Sequence, residues 1–315
     1  MSDPAAALPE RERRRSFRIG VWNAALYMGG EGLVDSNTVV PVFLAGLGTP
    51  NPLIGFSAAL PEFGWFLPQF ATVPLLSRRP RSIGLYRLAA VLRGLAFAVL
   101  AALIVPLATH PGALLAVFLA CYGVYSFSGG LAAVPFMEVV GRTVPRERLG
   151  AFWAQRLFWG GLATVLAGLF VRRLLHGGTD APRFALLFGL ATVLVTTGYG
   201  LFSAVREPAL PPTPESAGPL GMLREGAAML AHDAHFRRLL VARATLSAWF
   251  ASAPFIVLFA VQELGGSART AGTFLLARMA GFVVSNLLWH RISRRQGDHV
   301  LMRVGAAGCA GLTLA

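Results

Sequence analysis

Residues 83–107 read IGLYRLAAVLRGLAFAVLAALIVPL, and this stretch decides the fold class. The hydrocarbon core of a bilayer is about 30 Å thick, so a spanning α-helix needs about 20 predominantly apolar residues. Apart from Arg87 and Arg93, the stretch is apolar or small throughout. It therefore predicts a helix that crosses a membrane.

The composition of the whole chain agrees with this interpretation. The 315 residues are 55% hydrophobic and 14% charged, with a mean hydropathy of +0.60, whereas an ordinary soluble chain is about one quarter charged. A net charge of +13 would suggest a nucleic-acid partner in a soluble protein. Here the arginines lie between apolar stretches, which favours a role in orienting the chain in the bilayer and predicts no nucleic-acid partner.

Clusters of Arg, Pro and Gly divide the chain into successive apolar segments of transmembrane length. The predicted spans are Ile19–Leu44, Leu53–Leu76, Ile83–Leu107, Ala113–Val139, Ala151–Val171, Phe184–Val205, Leu239–Val261, Ala271–Trp289 and a ninth that begins near Val300. The sequence thus predicts an all-α polytopic bundle: a six-helix N-terminal half (1–205), a cytoplasmic linker with a short amphipathic helix (206–238) and part of a second half (239–315).

The charges of the connections predict the orientation. Arg is frequent in the N-terminal tail and after the even-numbered spans, and it is rare in the other connections apart from Arg172, Arg173 and Arg183. Short cytoplasmic loops carry an excess of basic residues. We therefore expect a multi-pass protein of the cell (inner) membrane with a cytoplasmic N-terminus.

Features of the first half recur in the second at one offset of 217 residues. The offset relates Leu47-Gly48 to Leu264-Gly265, and Gly55 to Gly272. It also relates Gln69 to Asn286, and Arg78 to Arg295. Internal repeats of this kind are common in secondary transporters. The offset predicts twelve spans in all, of which about nine lie in this sequence, so that about a hundred further residues would complete the second half.

The connection after the eighth span resembles the inner-loop signature of the major facilitator superfamily, Gly-x-Leu-x-Asp-Arg-x-Gly-Arg-Arg. Residues 290–299, HRISRRQGDH, are similar to it at Ile292, Arg295 and Gly297. After the second span, the similar residues are Leu75, Arg78 and Arg81.

The resemblance implies two six-helix halves, nested three-helix inverted repeats and secondary transport, with Arg78, Arg81, Arg295 and Gly297 in an inner gating motif. Ser77 and Arg294 stand where the family has Asp. The inner lock that this Asp forms in the family must therefore be made otherwise here, or hold less firmly.

Four ionisable residues inside the predicted spans, Glu31, Asp35, Glu62 and Arg93, are the leading site candidates. Counting from the span ends at about 1.5 Å per residue places Glu31, Glu62 and Arg93 near the midplane. Asp35 follows Glu31 by four residues, which predicts the same helix face one turn further out. Buried charges are costly, and a low dielectric favours the protonated form of a carboxyl, so these carboxylates are candidates for carrying protons or binding a cation. The alternative is that one of them, Glu62 in particular, only forms a structural pair with Arg93.

Three further polar residues are weaker site candidates. Gln69 follows Pro68 in the second span, where a proline kink frees backbone carbonyls to line a cavity. Arg156 and Arg278 lie near half-membrane depth. The aromatic residues Trp65, Trp153, Trp159 and Tyr125 either stack on a substrate or only pack against their neighbours.

Together these patterns predict a secondary active transporter of a small solute, coupled to protons, with export of an amphipathic or cationic compound as the leading form. The deep arginines equally permit an anion. The alternatives are a membrane-embedded enzyme and a membrane sensor or receptor without transport. All six histidines fall in loops or at span ends, so no acid–base or metal cluster at one depth favours the enzyme. The sequence predicts no cofactor or metal, and a monomer whose partners are the lipid bilayer, the solute and the proton.

Overall fold

The computed structural model describes residues 8–77, 79–210, 218–250, 253–263, 272–278, 280–281 and 300. All regular secondary structure in these residues is helical. The helices are α1 (Glu10–Leu33), α2 (Val39–Gly46), α3 (Asn51–Phe66), α4 (Gln69–Ser77), α5 (Ile83–Ile104), α6 (Pro111–Thr143), α7 (Leu149–Leu174), α8 (Ala181–Ser203), α9 (Pro219–His232), α10 (Ala234–Phe250) and α11 (Ala253–Gln262). Residues 272–278 are also helical.

Four helical segments within the described residues are long and apolar enough to cross a membrane. They are Ile83–Ile104, Pro111–Thr143, Arg146–Gly177 and Ala181–Ser203, which correspond to α5, α6, α7 with its flanking 3₁₀ turns, and α8. These segments coincide with the third to sixth predicted spans. The prediction of an all-α membrane protein is confirmed at this level.

The first predicted span, Ile19–Leu44, is wrong as a continuous helix. The chain leaves the helical path after Leu33 and resumes it at Val39. Asp35 stabilises this interruption, because its Oδ1 accepts hydrogen bonds from the Asn37 amide (3.1 Å) and the Thr38 hydroxyl (2.9 Å). Such local bonds from Asp to the following residues compete with helical hydrogen bonding.

The second predicted span is also two helices, α3 and α4, separated at Leu67 and Pro68. Pro68 has no N–H to continue the helix. The Gln69 side chain donates instead to the Trp65 carbonyl oxygen, at 2.6 Å. The kink predicted at Pro68 is therefore confirmed, whereas Pro61 lies inside an uninterrupted α3.

The long helices form one bundle in which neighbours contact in the order α7, α1, α8, α5, α6, α3. Helix α5 illustrates which side chains face the surface of the bundle and which face its interior. Its Leu88, Val91 and Leu95 are exposed, while Arg93 and Phe97 are buried. Exposed apolar side chains around a more polar interior suit a lipid environment, where contact of apolar groups with the surroundings has no cost.

Through Glu207, the chain after α8 is fixed to the end of the bundle where the Arg-rich connections lie, here called the basic end. The buried Glu207 carboxylate accepts hydrogen bonds from the Ser82 and Ile83 amides (2.7 and 2.8 Å) at the start of α5. It also forms an ion pair with Arg142, near the end of α6, at 2.8 Å. The N-terminus of a helix favours a negative charge, so Glu207 ties the linker, α5 and α6 together.

The remaining predictions for the second half are only partly covered. A helix, α9, is present where the amphipathic linker helix was expected. The seventh predicted span, Leu239–Val261, falls on α10 and α11, with residues 251–252 outside the described part. The eighth span is described only at 272–278 and 280–281, and the ninth only at residue 300.

Candidate solute and proton site

A buried cation, Arg93 of α5, lies at the centre of the first cluster of candidate residues. It is 3% exposed. Its Nη2 donates to Glu31 Oε1 at 2.7 Å, and its Nη1 donates to the Tyr125 carbonyl oxygen at 3.2 Å. Glu31 of α1 is therefore the carboxylate that balances this charge.

Three tyrosines surround the guanidinium group. The Arg93 Cζ lies 3.7 Å from the ring centroid of Tyr125, 5.2 Å from that of Tyr199 and 5.5 Å from that of Tyr27. Ring faces attract a cation most strongly where water is absent. The Tyr125 hydroxyl also donates to Glu31 Oε1, so two donors from different helices meet on one carboxylate oxygen.

Glycines make this geometry possible. A Cβ on Gly30 of α1 would approach Val195 Cγ2 of α8 to 2.7 Å, and one on Gly129 of α6 would overlap Arg93 Nη1. The missing side chains let α1 pack closely against α8 and leave room for the guanidinium beside α6. Glu31 keeps 35% of its side chain exposed.

Glu62, the predicted partner of Arg93, does not contact it. The side chain is exposed on α3, and within the described residues it has no ion pair or hydrogen bond. The Glu62–Arg93 pairing is therefore wrong, and Glu31 takes that place. Depth along the chain put both carboxylates at the level of Arg93, but the sequence does not indicate which helices are neighbours.

Asp35 is not on the same helical face as Glu31, because α1 ends at Leu33. It lies in the interruption between α1 and α2, where its Oδ2 accepts a hydrogen bond from Arg278 Nη2. This ion pair joins the first half of the chain to residue 278 of the second. Glu31 and Asp35 thus have separate cationic partners.

A cavity of about 450 Å³ opens beside the Arg93 cluster. Gln69 and Arg156, both predicted from the sequence, lie in its wall. The other lining residues are aromatic, amide, small or apolar: Asn23, Tyr27, Trp65, Tyr86, Gly129, Ala132, Ala133, Val134, Phe136, Met137, Trp153 and Tyr199. Tyr27 and Tyr199 line the cavity and also contact Arg93, so they connect the two features.

Arg156 of α7 is the cationic group of this cavity. Its Nη1 donates to Asn23 Oδ1 at 3.0 Å and to the Gly20 carbonyl oxygen. Phe136 and Trp153 flank its guanidinium, with ring centroids 4.5 and 5.6 Å from Cζ. No carboxylate pairs with it in the part of the chain that the structure describes.

The aromatic candidates divide between two settings. Trp65 and Trp153 line the cavity, and Tyr125 covers Arg93. Trp159 instead stacks on Trp22, and both rings are largely exposed. Tyr27, Tyr86 and Tyr199 were not among the predicted site residues, because the sequence does not distinguish a tyrosine that lines a cavity from one that packs against its neighbours.

The predicted inner gating motif is described only at Arg81, which is exposed in the turn before α5. Arg78, Arg295 and Gly297 lie outside the described residues. At this turn the tie between elements is made by Glu207 and Arg142. Glu207 therefore holds the start of α5 and the end of α6 together beside Arg81.

Comparison with known proteins assigns no family: no protein-family model matches the chain, and no curated protein matches it. Among the described residues, no group of three or more His, Cys, Asp and Glu side chains is arranged to hold a metal ion.

Proposed function

We propose that this protein is a secondary active transporter that moves a small solute across the cell membrane in exchange for, or together with, protons. The observation that carries the proposal is the Glu31–Arg93 pair. It joins α1 to α5 through a partly exposed carboxylate and lies next to a cavity of solute size. Ionisable groups inside spanning helices typically mark ion or substrate pathways.

The order of helix contacts supports an architecture of the major facilitator type. The first three spans begin with α1, α3 and α5, and the second three are α6, α7 and α8. If the first three are exchanged with the second three, α1 corresponds to α6, α3 to α7 and α5 to α8. The exchange converts the α1–α7 contact into α6–α3 and the α1–α8 contact into α6–α5, and it leaves α5–α8 unchanged; all five contacts are present. Nested inverted repeats of three helices give this pattern.

Glu31 offers a means of coupling. In its charged form it holds α1 to α5 through Arg93 and to α6 through Tyr125. Protonation removes the charge that Arg93 neutralises, so the two protonation states favour different helix arrangements. A ligand or proton shifts a conformational equilibrium by its difference in affinity for the two states.

The second ion pair, Asp35–Arg278, has the position of a gate between the halves. Asn23 and Arg156 lie on the side of Glu31 nearer the basic end of the bundle, and Asp35 lies on the other side. With a cytoplasmic N-terminus, the cavity lies in the cytoplasmic half of the bundle and the Asp35–Arg278 pair lies in the outer half. Alternating access would require this pair to break and re-form.

Proteoliposomes that contain a pH-sensitive dye test the proposal. The purified protein is exposed to separate pools of organic acids, organic amines and neutral sugars under inward and outward proton gradients. We expect one pool to move protons across the membrane in protein-containing vesicles and not in empty ones. Absence of solute-dependent proton movement with every pool, together with absence of solute counterflow, would contradict the proposal.

A further inference from the structure

We infer that the cavity at Arg156 binds a small organic anion with an aromatic or apolar body. The inference deepens the proposed function, because it rests on this cavity being the one that the transported solute occupies. The binding itself can be measured without transport.

The charge of the cavity wall is the first reason to expect an anion. Its one cationic side chain among the described lining residues is Arg156, and no Asp or Glu is among them. The neighbours that Arg156 contacts are neutral acceptors, the Asn23 side-chain oxygen and the Gly20 carbonyl oxygen. Both bonds use Nη1, and within the described residues Nη2 and Nε make no hydrogen bond, which leaves them for a ligand. A cation in a largely apolar site favours an anionic partner, because an unpaired charge there is costly.

The shape of the guanidinium group narrows the ligand further. Arg presents parallel N–H donors that match the two oxygens of a carboxylate or the oxygens of a phosphate. Phe136 and Trp153 flank the group and limit how it can turn. A ligand with one planar acidic group at one end fits this arrangement.

The rest of the wall suits an apolar body. Trp65, Tyr86, Phe136 and Trp153 provide aromatic surface, while Ala132, Ala133 and Met137 add small and apolar groups. A volume of about 450 Å³ lies within the usual range of about 300–1,000 Å³ for small-molecule sites. The side-chain oxygen of Gln69 adds a polar group without charge, while the Asn23 amide binds Arg156, the Tyr86 hydroxyl and the Gly198 carbonyl oxygen.

The structure argues against a cationic solute at this place. Glu31 is engaged by Arg93, and Asp35 by Arg278, and neither lines the cavity. An amine in the cavity would meet Arg156 without a carboxylate to balance it. An anion that moves with one proton, by contrast, is carried without net charge.

A charge series in the unmodified protein tests this inference. Benzoate, benzylammonium and benzyl alcohol share a ring and differ in charge, and Trp65 and Trp153 in the wall make tryptophan fluorescence a direct readout of binding. We expect saturable quenching by benzoate and at least about tenfold weaker binding of the other two compounds. Equal or tighter binding of benzylammonium or benzyl alcohol, or no saturable benzoate binding, would overturn the inference.

Arg156→Gln locates the anion site. We expect benzoate affinity to fall by about tenfold or more, whereas Arg156→Lys keeps the preference for the anion with weaker binding. Arg146→Gln removes the same charge from an exposed position and should leave binding unchanged. Unchanged benzoate affinity in a folded Arg156→Gln protein contradicts the inference, and the charge series decides the matter if that variant does not fold.

The binding and transport results separate the two proposals. Benzoate binding without solute-dependent proton movement and without solute counterflow would contradict the transporter and keep the anion site. Proton movement with the amine pool, without benzoate binding, would contradict the anion site and keep the transporter.

Discussion

At the scale of the residue, Arg93 is the group whose environment constrains the site most. A buried guanidinium is stable only with a counter-charge and acceptors, and here Glu31, the Tyr125 carbonyl and three tyrosine rings supply them. Removing one partner of a buried ion pair leaves the other charge unbalanced, which costs more than the pair itself contributes.

A double-mutant cycle measures this pair. We expect Glu31→Gln and Arg93→Gln each to lower the free energy of unfolding in detergent, and the two together to cost less than their sum by about 1–2 kcal/mol. The matched cycle of Glu62→Gln with Arg93→Gln should be additive within about 0.5 kcal/mol, since Glu62 does not contact Arg93. Coupling to Glu62 instead of Glu31 would refute the assignment of the pair.

The sequence singled out residues that the structure brings together, but it did not identify their partners. Glu31, Arg93, Gln69 and Arg156 all lie in or beside the site. Which of Glu31 and Glu62 reaches Arg93 depends on the order of the helices. Helix α5 packs against α8 and α6, whereas α3, which carries Glu62, packs against α6. That order is set by contacts between distant parts of the chain, which one sequence does not display.

At the scale of the element, close helix contacts depend on individual glycines. A Cβ on Gly130 of α6 would overlap the Gly64 carbonyl oxygen of α3, whereas a Cβ on Gly123 of the same helix would meet nothing within 4 Å. Helix pairs in membranes approach closely through such small residues.

Gly130→Ala and Gly123→Ala therefore form a matched pair. We expect Gly130→Ala to lower the melting temperature in detergent, because overpacking of this kind costs about 1–3 kcal/mol. Gly123→Ala should leave it unchanged or raise it, since alanine favours a helix. Equal melting temperatures for the two variants would contradict the close α3–α6 contact.

Glu207 holds elements together at the end of the bundle where the Arg-rich connections lie. Glu207→Ala removes the acceptor of the Ser82 and Ile83 amides, so we expect faster hydrogen exchange at those two amides, by roughly tenfold or more. Glu225→Ala, on the exposed face of α9, is the control and should leave their exchange unchanged. Unaltered exchange after Glu207→Ala would show that the carboxylate does not hold the start of α5.

The helices of the first half were largely predictable, but only one of their two interruptions was. Hydropathy and length located α5 to α8 within a few residues. The break at Pro68 carried a sequence signal, but the break after Leu33 did not, and the spacing of Asp35 from Glu31 predicted that the helix continues. Its bonds to Asn37 and Thr38 became apparent only in three dimensions.

At the scale of the whole molecule, the Asp35–Arg278 pair predicts a movement between the halves. Cysteines at both positions, in a background with Cys121 and Cys309 replaced by Ser, should cross-link and stop solute exchange, and reductant should restore it. Cysteines at Asp180 and Arg183, an ion pair at the start of α8, should not affect exchange. Full exchange by the cross-linked Asp35–Arg278 protein would exclude this pair as a gate.

The most direct test of the account is proton movement by Glu31→Gln in proteoliposomes, with whichever solute the unmodified protein moves. The account predicts that the variant still exchanges solute but no longer moves protons with it, while Glu62→Gln behaves like the unmodified protein. Solute-dependent proton movement by Glu31→Gln at the unmodified rate would contradict the account.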